Sequence, residues 1–255
     1  MYYKKLQWIF FCSWLGSFIA FRGGAQSDLP LVRSWTSSTV LALANAESYR
    51  PDGSFFYAQM QQAFNQPAFL ATAGYEQHLW RRWFAGLALT YNANNQLHYA
   101  INLNHSGKFL HWQFLKQVSY TFQSQPKQQD ETHAVQFLAG IARNFKLKSH
   151  QHFLRTVLSY QAIIFPSSST YQRTIDQTRL QVEAAYFLKE HFSIGFFLAQ
   201  STRYYIALAR YDANGNLIAP DRRLNLNTAL VGARLHLLLN LDQVVDKTHM
   251  RILAY

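Results

Sequence analysis

The feature that most constrains the fold is a pair of alternating segments between Leu97 and Phe122. From Leu97 to His105 every second side chain is apolar, and from Phe109 to Phe122 most even positions are again apolar or aromatic. The three residues 106–108, Ser-Gly-Lys, have the composition of a tight turn. A strand with one apolar and one amide-rich face needs an apolar environment on one side only. The pattern therefore predicts a β-hairpin with one face against a core or against lipid.

The same alternation recurs along the rest of the chain and sets the fold class. Candidate strands cover residues 36–49, 54–65, 68–79, 83–92, 97–105, 109–123, 133–146, 152–165, 174–188, 192–208 and 222–239. After the first 25 residues no run of 18 apolar residues occurs, which excludes helical membrane spans. The sequence predicts an all-β, antiparallel transmembrane β-barrel of ten strands, with twelve as the alternative.

The segment 36–49 does not fit an even number of strands. It is expected to be a plug in the lumen, or a wall strand that pairs with a twelfth strand near Thr248 to Tyr255. A soluble β-sandwich is the remaining alternative, because alternation alone does not separate lipid from a second sheet.

The N-terminus has the pattern of an export signal. Lys4 and Lys5 precede a 14-residue apolar run from Trp8 to Phe21, and the small residues 23–25 follow it. This run is too short to span a bilayer comfortably. Residues 1–25 are predicted to be a signal peptide and residues 26–255 a single outer-membrane barrel domain in a Gram-negative cell envelope.

The composition limits the classes of partner that the protein is expected to bind. The formal charge is +11, and removing the three cations of the leader leaves +8, spread along the chain without a basic stripe. This distribution argues against nucleic-acid binding. Outer-membrane lipids and lipopolysaccharide are the expected partners, because Lys and Arg reach lipid phosphates from barrel walls. The only cysteine, Cys12, lies within the leader, so a mature chain would have no thiol.

The connections between candidate strands alternate in length. Short turns are expected at 78–82, 147–151 and 189–191, and long polar loops at 123–132, 166–173 and 209–223. Barrels of outer membranes keep short turns on the periplasmic side and long loops outside.

Three features carry a resemblance to a known class of proteins. The leader ends Gly-Gly-Ala-Gln, an aromatic residue precedes glycine by three positions at Trp83 to Gly86 and at Phe192 to Gly195, and the chain ends Leu253-Ala-Tyr255. These features resemble small outer-membrane β-barrel proteins, particularly an uncharacterised family of Bacteroidota-like bacteria. The resemblance implies that the terminal aromatic residue serves as a signal for barrel assembly.

Ionisable residues on the polar faces of strands are the candidates for a lumenal site. They are Glu76, Arg155, Arg179 and Glu183. Arg155 and Glu183 are expected to pair across neighbouring strands. The set forms either a salt-bridged plug or a selectivity constriction.

Other groups that could carry chemistry have simpler explanations. His105-Ser106 is interpreted as the start of a hairpin turn, His150 and His152 lack a third metal ligand, and Asp212 to Asn216 lacks the glutamate of a calcium loop. The sequence therefore predicts no catalytic residue, no metal and no cofactor.

The functional hypothesis is a non-enzymatic structural or accessory subunit of a larger envelope assembly. A narrow passive channel and an outer-membrane lipid hydrolase or acyltransferase are the alternatives. Contacts with a larger membrane protein are expected on an aromatic wall and in the loop 209–223. The residues are Trp112, Phe114, Tyr120, Tyr211, Leu217 and Ile218.

Overall fold

The chain folds into a closed β-barrel of eleven strands, with a small two-stranded hairpin at one end. The computed structural model describes residues 31–65, 68–93, 96–123, 133–147, 152–165, 175–188, 191–207, 209–212, 214–220 and 222–245. The predicted signal peptide lies outside these residues. Among them, no helix has the length and hydropathy needed to cross a membrane.

The barrel wall is a meander in which each strand pairs with its neighbours in the chain. The wall strands are β1 (Leu31–Tyr49), β2 (Phe55–Ala63), β3 (Phe69–His78), β4 (Trp83–Asn92), β5 (Leu97–Phe109), β6 (Trp112–Gln123), β7 (His133–Lys146), β8 (His152–Ile164), β9 (Gln177–Leu188), β10 (Phe192–Ala207) and β13 (Arg222–Leu239). The short strands β11 (Arg210–Tyr211) and β12 (Leu217–Ala219) form a separate hairpin between β10 and β13.

The predictions of ten or twelve strands and of a fully antiparallel sheet are wrong. The wall has eleven strands, and β1 pairs with β13 in parallel, from Leu31 beside Arg223 to Ser48 beside Leu239. Successive strands of a meander reverse direction, so an odd number leaves the first and last strands pointing the same way. Closing such a barrel therefore requires one parallel pair.

The segment predicted as a plug or as the partner of a twelfth strand is part of the wall. Residues 36–49 belong to β1, which is paired with β13 on one side and with β2 on the other. Glycine at position 232 allows a close approach at this seam, because a Cβ there would lie 2.7 Å from the carbonyl oxygen of Leu41 in β1 and 2.3 Å from Cζ of Phe197 in β10. Residues 248–255 lie outside the described residues.

The turn between β5 and β6 is later than predicted. Residues 106–108 continue β5, with Ser106 opposite Leu115 and Lys108 opposite Gln113. The chain reverses at Leu110 and His111, where Leu110 takes a left-handed φ of 53°. The glycine at 107 suggested a turn, but extended backbone also accommodates glycine, and the strand pairing decides its conformation.

The alternation predicted from the sequence is confirmed as an inner and an outer face. On β4, Leu87 and Leu89 are exposed on the outside whereas Phe84 is buried inside. On β9, Leu180 and Val182 point outward, and Glu183 is buried inside. The wall therefore has a polar inner face and an apolar outer face. Exposed apolar side chains elsewhere on the wall include Val40, Phe56, Met60, Ile101, Leu103, Val118, Leu158, Phe196, Leu198, Val231 and Leu235.

The two ends of the barrel differ in their connections. At one end, which we call the short-turn end, β1 to β2, β3 to β4, β5 to β6, β7 to β8 and β9 to β10 are joined by two to five residues. At the other, the long-loop end, lie the connections 124–132, 165–176 and 208–221. Because β1 and β13 are parallel, the described chain enters at the long-loop end and leaves at the short-turn end.

Candidate functional site

The lumen holds a cavity of about 690 Å³ with walls rich in amide and charged side chains. Its lining draws on strands from the whole circumference. Amide side chains there include Asn45, Gln59, Gln61, Asn102, Gln117, Gln136, Gln161 and Gln181. Such walls offer hydrogen-bond donors and acceptors to water or to a polar solute.

An apolar cluster, which we call the floor, lies next to this cavity at the short-turn end, where Phe55 and Phe187 belong to both. Its aromatic members come from β1, β2, β4, β8 and β9, and it includes Leu238 of β13. Since β4 and β8 lie on opposite sides of the seam, the cluster extends across the inner side of the seam. Its aromatic members are Tyr49, Phe55, Phe84, Phe153 and Phe187.

The chain segment after β13 completes this floor. Asn240 takes a left-handed φ of 59° and turns the chain into a 3₁₀ turn, Leu241–Gln243. Leu241 is fully buried and Val244 is nearly so, both within the apolar cluster. The backbone N–H of Val245 donates to the carbonyl of Pro51 in the turn between β1 and β2, 3.1 Å away. The floor is therefore fixed to the opposite side of the seam.

The four predicted lumenal residues come together on the cavity wall. Glu76, Arg155, Arg179 and Glu183 all line it, and Glu76 is only 1% exposed. Sequence alternation alone found this set correctly.

Arg155 and Glu183 each have another partner on the lumen wall, and their pairing with each other stays a prediction. Nη2 of Arg155 donates to Oε1 of Gln113 at 2.9 Å, and Nε2 of Gln113 donates to Oγ of Ser106 at 2.8 Å. Nη1 of Arg234 lies 2.9 Å from Oε2 of Glu183. In the register of β8 and β9, Glu183 stands opposite Val157, two positions from Arg155. Arg234 lies on β13, two strands along the wall from β9, where it stands opposite Gly195 of β10.

Sequence reasoning missed several residues of the site. Arg234 and His236 of β13 face the lumen, and Nε2 of His236 lies 3.2 Å from Oε1 of Glu47. The hydroxyl of Tyr49 donates to Oε2 of Glu47 at 2.5 Å. The parity of β13 could have revealed them, because Arg234 and His236 alternate with exposed leucines at 235 and 237.

Arg179 is one of the charged lumenal residues that have a buried polar atom without a hydrogen-bond partner in the described residues, and that atom is its Nε. Arg234 and Glu183 are its charged neighbours, so two guanidinium groups share one carboxylate. The local charge around Glu183 is therefore positive, whereas over the whole lining Arg155, Arg179 and Arg234 balance Glu47, Glu76 and Glu183.

The predicted contact residues occupy two separate places. Trp112 and Tyr120 are exposed on the outer face of β6, with Phe114 between them. Tyr211, Leu217 and Ile218 lie on the β11–β12 hairpin and are 62%, 55% and 61% exposed. The structure brings the three hairpin residues together, and it leaves the β6 residues on the wall.

The hairpin is ordered by its own turn rather than by a metal. The carboxylate of Asp212 accepts hydrogen bonds from the backbone N–H groups of Asn214 and Asn216 at 2.9 and 2.7 Å. The side-chain amide of Asn216 also donates to it, and this bond is the main reason that the pKa of Asp212 is lowered. In the described residues no group of three or more His, Cys, Asp and Glu side chains is placed to hold a metal ion.

His105 and Ser106 do not lie at a turn, contrary to the sequence interpretation. They are neighbours within β5, so they point to opposite faces of the wall. His105 packs outside against Trp83, with ring centroids 4.6 Å apart. Ser106 is buried inside and accepts the hydrogen bond from Gln113. This pair is not arranged for nucleophilic catalysis.

Comparisons with known proteins add little to this geometry. No protein-family model matches the sequence, and no curated protein is significantly similar to it. Among solved structures the chain is similar to a bacterial polysaccharide outer membrane secretin, with 10% identity and a TM-score of 0.39. The match covers 69% of this chain and 62% of that one. So remote a likeness assigns no function.

Proposed function

We propose that this chain is an integral outer-membrane β-barrel and a non-enzymatic structural or accessory subunit of a larger envelope assembly. The observation that carries the proposal is the outer surface of the wall. Leu87, Ile101, Val182, Phe196 and Val231 are each 48% or more exposed, and they come from strands around the circumference. A soluble protein rarely exposes an apolar surface of this extent, whereas a membrane barrel requires one.

The interior supports the same location. Charged and amide side chains fill the lumen while apolar ones face outward, which is the inverse of a soluble barrel with an apolar core. The predicted signal peptide agrees with export through the inner membrane.

The apolar floor favours an accessory role over a passive channel. A solute entering from the long-loop end would meet the cluster of Tyr49, Phe55, Phe84, Leu238 and Leu241. An open aqueous path needs polar walls along its whole length. The surfaces left for function are therefore the outer wall and the β11–β12 hairpin.

Membrane embedding is tested by placing the same charge on each face of β9. Val182→Arg should destabilise the folded protein by about 2–4 kcal/mol if it lies near the bilayer midplane, because the guanidinium would face hydrocarbon. Gln181→Arg is the matched control, since its neighbouring position faces the polar lumen. Urea unfolding of both variants in phospholipid vesicles measures the difference.

Equal losses at positions 181 and 182 would contradict the proposal, because they would mean that both faces of β9 are buried in protein. Unboiled and boiled samples should also migrate differently in electrophoresis, as closed barrels do.

A further inference from the structure

The accessory role uses the outer wall and the β11–β12 hairpin, and it leaves the lumenal cavity without a role. The cavity has a volume of about 690 Å³. Sites for small molecules are typically clefts of roughly 300–1,000 Å³ in which a few polar groups fix the ligand. The chemistry of the lining therefore indicates what the cavity would bind.

The charged side chains of the lining are unevenly distributed along the barrel. Glu47 of β1 and Glu76 of β3 lie two positions from the short-turn ends of their strands, and Glu183 lies at the middle of β9. Arg155 of β8 and Arg234 of β13 also lie in the short-turn halves of their strands. The carboxylates and two of the arginines are thus collected on the side of the floor.

Arg179 is the arginine of the lining that lies on the other side of Glu183. It is two positions from the long-loop end of β9, and no described residue accepts a hydrogen bond from its buried Nε. Glu183 is held by other donors, because Oε1 accepts from Nη1 of Arg234 at 3.1 Å and Oε2 accepts from Nε2 of Gln181 at 3.0 Å. Arg234 therefore neutralises Glu183, and Arg179 is left with a positive charge.

The described lining has no carboxylate in the long-loop half beside Arg179. The carboxylate of Asp176, three residues before Arg179, is not part of this lining and accepts a hydrogen bond from the backbone N–H of Phe165 at 2.8 Å. A guanidinium group in this position can hold a carboxylate through two parallel, charge-assisted hydrogen bonds. The long-loop half of the cavity is therefore suited to a ligand with one negative charge.

Neutral hydrogen-bonding groups surround this position. Gln161 of β8 stands opposite Arg179, and its Nε2 donates to Oε1 of Gln136 at 3.0 Å. On β3 and β4, across the barrel from β9, Oγ1 of Thr72 and Oγ1 of Thr90 lie 2.9 Å apart, and both residues line the cavity. Amides and hydroxyls both donate and accept, as the hydroxyl groups of a ligand require.

We propose that the lumen binds a small carboxylate that also carries hydroxyl groups. Arg179 holds the carboxylate, and the side-chain amides of Gln136, Gln161 and Gln181 bind the hydroxyls. A phosphate dianion fits less well, because it would bring two negative charges to one uncompensated arginine. The site does not depend on the accessory role, and either proposal can fail alone.

The test uses isothermal titration calorimetry on the full-length protein in a neutral detergent, with D-gluconate as the probe. Sorbitol has the same hydroxylated carbon chain without the carboxylate, and acetate has the carboxylate without the hydroxyls. Gluconate should bind roughly 10- to 100-fold more tightly than sorbitol, which is the value of a charge-assisted hydrogen-bonded pair. It should also bind more tightly than acetate and inorganic phosphate.

Variants of Arg179 assign the carboxylate site. Arg179→Gln should weaken gluconate binding by the same factor and remove the preference over sorbitol. Arg179→Lys keeps the charge without the two parallel hydrogen bonds, so it should retain part of that preference. Arg210→Gln on the exposed hairpin removes a charge outside the lumen and should bind as the wild type does.

Equal binding of gluconate and sorbitol by the wild type, or binding of neither, would overturn the proposal, and this measurement needs no variant. Acetate or phosphate bound as tightly as gluconate would show an adventitious ion only. Heat-modifiability is measured on every variant to confirm that the barrel is folded. Unchanged gluconate binding by folded Arg179→Gln would also overturn the site.

Discussion

The short-turn end and the long-loop end of this barrel are built by different means. At the short-turn end, aromatic side chains from five strands meet the 3₁₀ turn after β13 in one buried cluster. Toward the long-loop end the inward positions are amides such as Gln61 and Gln161, which line a cavity instead of filling space. The same wall strands thus make a packed floor at one end and a solvated chamber at the other.

The difference teaches that the larger apolar cluster lies at one end, apart from a smaller one formed by Leu41, Leu43, Ala63 and Phe197. Packing of large side chains contributes several kcal/mol per residue, whereas amides that face water contribute little. The long-loop end is therefore free to vary in sequence and to carry contacts with partners.

The largest expected loss of stability comes from a substitution within the apolar floor. Phe55→Ala removes a side chain that is 1% exposed and lies within 6.2 Å, centroid to centroid, of Phe84. The loss should be about 3–5 kcal/mol, because neighbouring rings cannot collapse fully into the space. Gln59→Ala, on the same strand and the same face, should change stability by less than about 1 kcal/mol. Urea unfolding in detergent measures both, and similar losses would show that the chamber also bears stability.

A second prediction removes part of the long-loop end. Deleting residues 212–219 takes away Leu217 and Ile218 together with the turn that orders them. The barrel should remain heat-modifiable, since the hairpin pairs only with itself. Cross-linked complexes isolated from native membranes should lose a partner that the wild type retains.

The alternative outcome concerns the lumen. If complexes are unchanged and the deletion variant conducts in planar bilayers, the hairpin serves as a lid and the accessory role is wrong. Wild-type protein and Arg210→Gln provide the reference for both measurements.

The smallest expected effect concerns Asp52 and Asp212, two aspartates whose carboxylates cap turns at opposite ends of the barrel. Burial raises the pKa of Asp52, but hydrogen bonds from Ser54 and Gln77 and the charge of Arg50 outweigh it, so the pKa lies below 3.8. The pKa of Asp212 is lowered from the same ordinary value by Asn216. Each carboxylate therefore supports its turn above that value, and the support is lost as pH falls through the lowered pKa.

The consequences should differ between the ends. As pH falls through the lowered pKa of Asp212, the amide signals of Asn214 and Asn216 in NMR spectra should move toward random-coil values, because both N–H groups donate to that carboxylate. The Asp52 turn should persist, since the neighbouring floor holds it. If residues 50–54 lose order at a higher pH than the β11–β12 hairpin does, the expected difference between the two ends is wrong.

The sequence identified the strands and their faces because period-two alternation is a local property. Leu180, Val182, Gln181 and Glu183 were assigned to the correct sides from the sequence alone. The four lumenal residues followed from the same parity. The hairpin turn at Asp212 to Asn216 was also recognisable, because its chemistry lies within five residues.

The features that the sequence did not predict depend on contacts between distant parts of the chain. The turn at Leu110 was misplaced because glycine at 107 indicates a turn locally, while pairing with β6 keeps it extended. The contact of Glu183 with Arg234, 51 residues away, was not foreseen either, because no spacing rule connects them.

The sequence by itself determined that this chain forms amphipathic strands with an apolar face and a polar face, since side chains in a strand alternate by covalent geometry. Only the tertiary structure decided how many strands close the wall and that β1 and β13 meet in parallel. Closure depends on the curvature and register summed over all strands. It also decided that Leu241 and Val244 seal the floor, because a buried cluster exists only once opposite walls have been brought together.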